Sequence, residues 1–158
     1  MTTSSKSEPA LIADQLCRAF EGDAWHGPAL LELLQDVDAR AASAKPIAGA
    51  HSIWELVLHI AVWDWATLQR LAGEVCQPEG EANFPPVKDK SDAAWKKAVA
   101  GVKHTHDTLV KTVAALPELR LVEQVPGKDY NFYHLLHGVV QHELYHAGQI
   151  AILKKAEG

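Results

Sequence analysis

The chain has few of the residues that build disulfide frameworks or thiolate metal sites. Its two cysteines, Cys17 and Cys76, are far apart, and neither belongs to a C-x-x-C pair. This pattern argues against a disulfide scaffold and against a zinc site with thiolate ligands. We interpret both cysteines as small buried or half-buried apolar residues, and we expect a cytoplasmic protein in a reducing compartment.

Long apolar runs and blocks of like charge are also missing. No segment reaches the roughly 18 uninterrupted apolar residues of a membrane helix, and the polar stretch 1–9 lacks the apolar run of a secretory signal. The 15 basic and 20 acidic residues give a formal net charge of −5 and are spread along the chain. We therefore expect neither nucleic acid nor an anionic membrane as a partner.

The length of 158 residues fits one domain. We expect a disordered N-terminal tail over residues 1–9 and a single helical domain over residues 10–156. Apolar residues recur at helical spacings throughout, and no segment alternates in the way a strand does. The predicted fold class is therefore all-α, a four-helix bundle.

The apolar spacing predicts four long helices and one short helical segment after the first of them. The long helices are expected over residues 11–20, 52–71, 95–116 and 131–155, and the short segment, which Pro28 starts, runs to residue 37. Between residues 74 and 91 the composition turns to Gly, Pro, Asn and charge, which indicates a long surface loop. This loop either covers a site or is an inert connection.

Three histidines occupy positions where the apolar pattern calls for hydrophobic residues. His142 and His146 are four residues apart, so they lie one turn apart on one face of the last helix. His59 interrupts an apolar run of the second long helix. Because buried imidazole nitrogens need partners, three such rings favour a site for one divalent metal ion with open positions for water or substrate. For each ring alone, the alternative is a hydrogen-bonded core histidine.

Other histidines have simpler interpretations. His106 lies on the seam of the third long helix and has no partner at helical spacing, so we interpret it as a core or rim residue. His134 and His137 are three residues apart, but we place them on the side of the last helix that faces away from His142. We therefore expect no second metal site there.

Residues 142–146 spell H-E-x-x-H, the zinc-protease motif in which the glutamate activates water. No histidine follows His146 as a third ligand, so the match does not indicate proteolysis. Glu143 is still a candidate catalytic base or a support for the ligands, and the alternative is an ordinary exposed glutamate. Glu55, one turn before His59, is a further candidate to carry a proton. Gln149 is a candidate to position a ligand or a histidine.

The arrangement of these motifs resembles the DinB-like (DinB/YfiT) superfamily of metal-binding bundles. The likeness rests on His59 in an apolar helix, followed by His142-x-x-x-His146 with Ala-Gly-Gln at positions 147–149. The segments Trp-His-Gly-Pro at 25–28 and His-Ser-Ile-Trp-Glu-Leu at 51–56 also look like those of family members. The resemblance spans residues 11–153.

The resemblance implies a damage-inducible, often dimeric bundle in which His59, His142 and His146 hold nickel, zinc, manganese or iron. It implies small-molecule partners, and for some relatives S-transfer that uses a low-molecular-weight thiol such as bacillithiol or mycothiol. Nothing here matches the extra C-terminal domain of the mycothiol-dependent isomerases, which argues against that chemistry. A metal-dependent hydrolase and a non-catalytic metal-binding protein stay open as alternatives.

Overall fold

The computed structural model describes residues 6–157, and these residues are helical without a β-strand. Six α-helices follow one another in this range, together with two short 3₁₀ helices at Gly80–Ala82 and Glu118–Val122. The α-helices are α1 (Glu8–Phe20), α2 (Leu30–Leu34), α3 (Ala39–Ser43), α4 (Ile53–Leu71), α5 (Asp92–Ala114) and α6 (Phe132–Glu157). The all-α class is confirmed. None of these helices is long and apolar enough to cross a membrane.

Four long helices form the body of the bundle. Helix α4 packs along α5 and α6, and α1 packs along the same two helices from another side. The buried side of α5 shows how the sequence directs this packing, because its buried residues recur at spacings of three, four and seven. These residues are Trp95, Val102, His106, Leu109 and Val113. Each large apolar side chain that is fully buried in this way contributes about 1.5–3 kcal/mol.

The first helix begins earlier than the predicted boundary after residue 9. Helix α1 starts at Glu8, and Pro9 lies in its first turn, where the missing N–H of proline costs no hydrogen bond. Pro9 is also buried against the bundle. The predicted tail is therefore wrong for residues 8 and 9, and its first five residues lie outside the described residues.

The short helical segment predicted up to residue 37 ends three residues earlier, and another short helix follows it. Helix α2 ends at Leu34, and the separate helix α3 begins at Ala39. The cause is Asp38, whose carboxylate accepts a hydrogen bond of 2.8 Å from the backbone N–H of Ala41 and so caps α3. A second short helix, which the apolar pattern did not predict, therefore follows the first.

Helix α4 begins with a reciprocal pair of side-chain caps. The Ser52 hydroxyl accepts from the N–H of Glu55, and the Glu55 carboxylate accepts from the N–H of Ser52 at 2.9 Å. The other Glu55 oxygen accepts from Lys45 Nζ at 2.9 Å. Glu55 is thus engaged at the helix start and does not line the cavity beside the histidines. These contacts give Glu55 the role of a helix cap, and a role in carrying a proton stays a prediction.

Candidate metal centre

The imidazole rings of His59, His142 and His146 meet inside the bundle. Nε2 of His142 lies 3.0 Å from Nε2 of His59 and 3.1 Å from Nε2 of His146. Helix α4 supplies the first ring and α6 supplies the other two, which are one helical turn apart. The structure therefore brings together the three residues that the sequence selects, and their role as metal ligands stays a prediction.

Hydrogen bonds at Nδ1 orient two of the three rings. His59 Nδ1 donates to the backbone oxygen of Asn83 at 2.9 Å, and His146 Nδ1 donates to the side-chain oxygen of Gln149 at 2.6 Å. A neutral imidazole with its proton on Nδ1 carries its lone pair on Nε2. Both rings therefore turn an acceptor nitrogen towards the centre, as metal-binding histidines do when an outer hydrogen bond anchors the other nitrogen.

The third ring, His142, has a buried Nδ1 atom without a hydrogen-bond partner among the described residues. Its Nε2 faces the lone pairs of the other two rings, and one proton can bridge only one of these two contacts. A cation at the centre would satisfy all three acceptor nitrogens together, which protons cannot do. The donor set thus fits a divalent metal ion.

Burial keeps the three rings in the form that binds metals. Removal from water lowers the pKa of His59, of His146 and most strongly of His142. For His142, the neighbouring His146 and His59 lower the pKa further, to about 3. All three rings are therefore neutral near neutral pH, and a metal ion competes with few protons for them.

The segment between α4 and α5 packs against the candidate site. The ring of Phe84 stacks on the ring of His59, with centroids 4.0 Å apart and planes 5° apart. The Asn83 side chain accepts a hydrogen bond of 2.8 Å from Trp63 Nε1, while its backbone oxygen holds His59. The sequence left two interpretations open for residues 74–91, a loop that covers a site or an inert connection. Because Asn83 and Phe84 contact His59, an inert connection is wrong for these two residues.

The three rings border a cavity of about 450 Å³. Its wall includes the apolar surfaces of Trp63, Leu135 and Val139. The polar groups that line it include Asn83, Arg70, Tyr130 and His134, and no Asp or Glu is among the lining residues. The volume falls in the range of small-molecule sites. The arrangement therefore places three acceptor nitrogens beside a space that a small molecule can enter.

His134 lines this cavity together with His142, so the prediction that His134 faces away from His142 is wrong. Eight residues advance a helix by two turns and about 80°, which leaves both side chains on the same half of its surface. His137 lies elsewhere, with Nε2 3.8 Å from the carboxylate of Glu8 on α1.

Glu143 lies in the protein core and does not line the cavity. Its Oε1 atom is 2.9 Å from Nδ1 of His106, and the same nitrogen donates to Oδ2 of Asp64 at 3.2 Å. These side chains come from α6, α5 and α4, and none is more than 1% exposed. We call them the buried triad. The alternative of an exposed Glu143 is wrong, and its carboxylate faces the triad rather than the cavity.

The buried triad holds protons in the folded chain. Burial alone would lower the pKa of His106, but contacts with Asp64 and Glu143 outweigh it and raise the pKa to about 10. Burial raises the pKa of Glu143 to about 8 and also raises that of Asp64. Near neutral pH these pKa values favour the imidazolium form of His106 and the protonated form of Glu143, and burial favours the protonated form of Asp64 as well.

Two clusters in the described residues have donor atoms close enough to share a metal ion, with all ligand atoms within 4.8 Å of one another. The first consists of His59, His142 and His146, and the second is the buried triad. The side chains of the triad are buried in the core and do not line the cavity. Only the three-histidine cluster borders the cavity, so it is the candidate for chemistry on a ligand.

Asp64 was missed by the sequence analysis. It stands between two tryptophans in the segment Val62-Trp63-Asp64-Trp65 of a largely apolar helix, and this position was the available signal. A charged residue in such a helix must either face water or find a buried partner. His106, interpreted from sequence as a core or rim residue, is that partner in the core.

The helical bundle and its three-histidine cluster define the class to which this chain belongs. Residues 24–150 match the family model of the DinB superfamily. Because the match covers most of the chain, the protein is a member of the DinB superfamily, and the resemblance found from the motifs is confirmed. No curated protein and no solved structure matches the chain.

Proposed function

We propose that the protein is a metal-dependent enzyme that holds one divalent ion through His59, His142 and His146 and acts on a small molecule in the adjoining cavity. The observation that carries this proposal is the convergence of three neutral Nε2 atoms at the wall of that cavity. Nitrogen ligands of this kind suit zinc, nickel and iron, and the family resemblance adds manganese.

A divalent ion held by three neutral imidazoles would keep its full charge and supply a Lewis acid that lowers the pKa of a coordinated thiol or water. The residues of this chain prepare the site for that chemistry. Asn83 and Gln149 hold two of the rings at Nδ1. Trp63, Leu135 and Val139 give the cavity apolar surfaces that exclude water from a bound ligand.

The reaction that we propose is S-transfer to a low-molecular-weight thiol. In this reaction the thiol releases its proton to solvent, and its sulfur forms a bond to an electrophilic carbon of the second substrate. The bond from that carbon to the leaving group breaks, and the leaving group takes the electron pair. A thiolate is itself the nucleophile and needs no protein carboxylate as a base.

The lining of the cavity favours S-transfer over hydrolysis. A metal-dependent hydrolase of the H-E-x-x-H type uses its glutamate as general base beside the ligand. No carboxylate lines this cavity, and the Glu143 carboxylate faces His106 and Asp64 in the core. No contact in the described residues therefore supports the hydrolase alternative.

Cobalt-substituted protein tests the proposal. Addition of 2-mercaptoethanol should change the visible spectrum of the cobalt protein, and the zinc or nickel protein should accelerate S-alkylation of that thiol by chloroacetamide. Both effects should disappear in His142→Ala and persist in His104→Ala, which changes an exposed histidine of α5. A cobalt-loaded protein whose visible spectrum does not change when the thiol is added would contradict S-transfer and support the non-catalytic alternative.

Several finer expectations stay predictions. A homodimer and damage-inducible expression rest on the family resemblance, and a cytoplasmic location rests on composition. We propose that the bundle is a single domain, which now begins at Glu8 and ends near Glu157.

A further inference from the structure

Arg70 is a buried cation on the wall of the same cavity. Its side chain lies near the end of α4, and the residue is 2% exposed. Its Nε atom donates to the backbone oxygen of Cys76 at 2.9 Å. One terminal nitrogen donates to Oε1 of Gln77 at 3.1 Å, and the other donates to the hydroxyl of Tyr130 at 3.4 Å.

All the hydrogen-bond acceptors of Arg70 in the described residues are neutral oxygens. Its guanidinium also lies over the ring of Trp63, with the central carbon 5.4 Å from the ring centroid. A guanidinium carries five N–H groups, and the three hydrogen bonds to these oxygens leave two N–H groups for a ligand. A buried charge without a charged partner is costly, so the site favours a bound anion.

Two more exposed arginines, Arg18 and Arg120, differ from Arg70 in this respect. Arg18 pairs with Asp14 at 2.8 Å, and Arg120 pairs with Glu123 at 2.7 Å. No carboxylate of the described residues pairs with Arg70, and no Asp or Glu lines the cavity that it borders. Among the residues that the structure describes, Arg70 thus lines the space beside the three histidines without a carboxylate partner.

We propose that Arg70 and the Tyr130 hydroxyl bind a carboxylate group of the substrate or thiol that occupies this cavity. The planar fork of a guanidinium matches a carboxylate and binds it through two parallel hydrogen bonds. Leu135 and Val139 also line the cavity and suit an apolar part of the ligand. The ligand class is therefore a small carboxylic acid whose apolar segment joins the carboxylate to the reacting sulfur or carbon.

This inference rests on the proposed function for the identity of the reacting group, but the anion site itself can be tested without metal. The probes are 4-phenylbutyrate and its neutral amide, 4-phenylbutanamide, titrated calorimetrically into metal-free and zinc-loaded protein. The acid should bind at least about tenfold more tightly than the amide, because charged hydrogen bonds to the guanidinium favour the acid. The preference should hold in both forms of the protein.

Arg70→Met should lose the preference for the acid and keep the metal content of the wild type. Arg70→Lys should keep part of the preference, since an ammonium retains the charge without the fork. Arg40→Met, which removes an exposed arginine of α3, is the matched control and should bind like the wild type. Circular dichroism checks that each variant is folded, and Arg70→Lys serves as the test if Arg70→Met does not fold.

The two proposals fail in different ways. Preference for the acid in metal-free wild type, lost in Arg70→Met, supports the anion site even if the histidines bind no metal. Wild-type protein that binds acid and amide equally, or that binds neither at about 10 mM, overturns the anion site whatever the metal content. A folded Arg70→Met variant that binds the acid as tightly as the wild type, with full preference over the amide, would also overturn it. The same result in Arg70→Lys would do so as well.

Discussion

His146 Nδ1 donates a hydrogen bond of 2.6 Å to the side-chain oxygen of Gln149, three residues further along α6. Residues three apart on a helix are neighbours on its surface, so this bond forms within one turn of one helix. It turns the Nε2 atom of His146 towards His142 and His59. The orientation of a proposed metal ligand thus depends on one amide side chain.

Replacement of Gln149 by leucine should weaken metal binding and leave the fold intact. Loss of an outer hydrogen bond to a ligating histidine typically costs 10–100-fold in metal affinity, so we expect about that decrease. Competition with a chelating dye measures the affinity. Gln15→Leu, at an exposed position of α1, is the matched control. Equal affinities of Gln149→Leu and wild type would show that this bond does not orient a ligand.

Asp64→Ala should destabilise the folded protein strongly. The buried imidazolium of His106 contacts two carboxyl groups, those of Asp64 and Glu143, and the substitution removes the first of them. Removal of one partner from a buried ion pair costs about 3–5 kcal/mol, whereas an exposed pair contributes about 0–1 kcal/mol.

Urea unfolding compares this variant with Asp107→Ala, which removes an exposed pair with Lys103. We expect a large decrease in the free energy of unfolding for Asp64→Ala and a small one for Asp107→Ala. Similar values for the two variants would mean that the triad contributes little to stability.

The stability of the metal-free protein should fall as the pH rises from about 7 to 10. The pKa of His106 is raised from 6.5 to about 10, so its contribution is complete below 6.5 and is lost as pH rises through 10. The raised pKa values of Glu143 and Asp64 act in the same direction, because the folded chain keeps protons that the unfolded chain releases. Each proton held in excess corresponds to about 1.4 kcal/mol per pH unit.

Between about pH 7 and 10, the loss of stability that the triad causes can be measured separately from any contribution of the three-histidine cluster. The lowered pKa values of His59, His142 and His146 make their contribution rise with pH through about 6.5, after which it is complete. Urea unfolding of metal-free wild type and His106→Gln across the window measures the difference. A slope in His106→Gln as steep as in wild type would contradict a proton-holding triad.

Glu143→Gln should keep the metal content of the wild type. Its side chain belongs to the buried triad and does not line the cavity, so the three imidazoles do not need its carboxyl group. Metal analysis of the purified variant gives the result, with His142→Ala as the variant that loses the ion. Loss of metal in a folded Glu143→Gln protein would place Glu143 among the groups that hold the ion.

The parts of the site that could be predicted from sequence are those that a single helix determines. His142, His146 and Gln149 share one face of α6, so helical spacing alone brings them together. His59 stood out because an imidazole interrupts an apolar helix. Its contact with the other rings depends on the packing of α4 against α6. The family resemblance implied this packing, but the spacing of residues could not predict it.

The buried triad and the cavity wall could not be predicted from sequence, because they too depend on the packing of several helices. Asp64, His106 and Glu143 each stand alone on their own helix, and three helices must pack before they meet. In the sequence, Arg70 has the pattern of an ordinary basic residue in the last turn of a helix. Its place on the cavity wall depends on the packing of Trp63 and Tyr130 around it.

The metal content of protein purified without a histidine tag tests the central claim most directly. After incubation with zinc or nickel and dialysis, mass spectrometry of the metals should find about one ion per wild-type chain and essentially none in His59→Ala or His142→Ala. Wild type that stays far below one ion per chain, or both variants fully loaded, would contradict a metal centre built from these histidines.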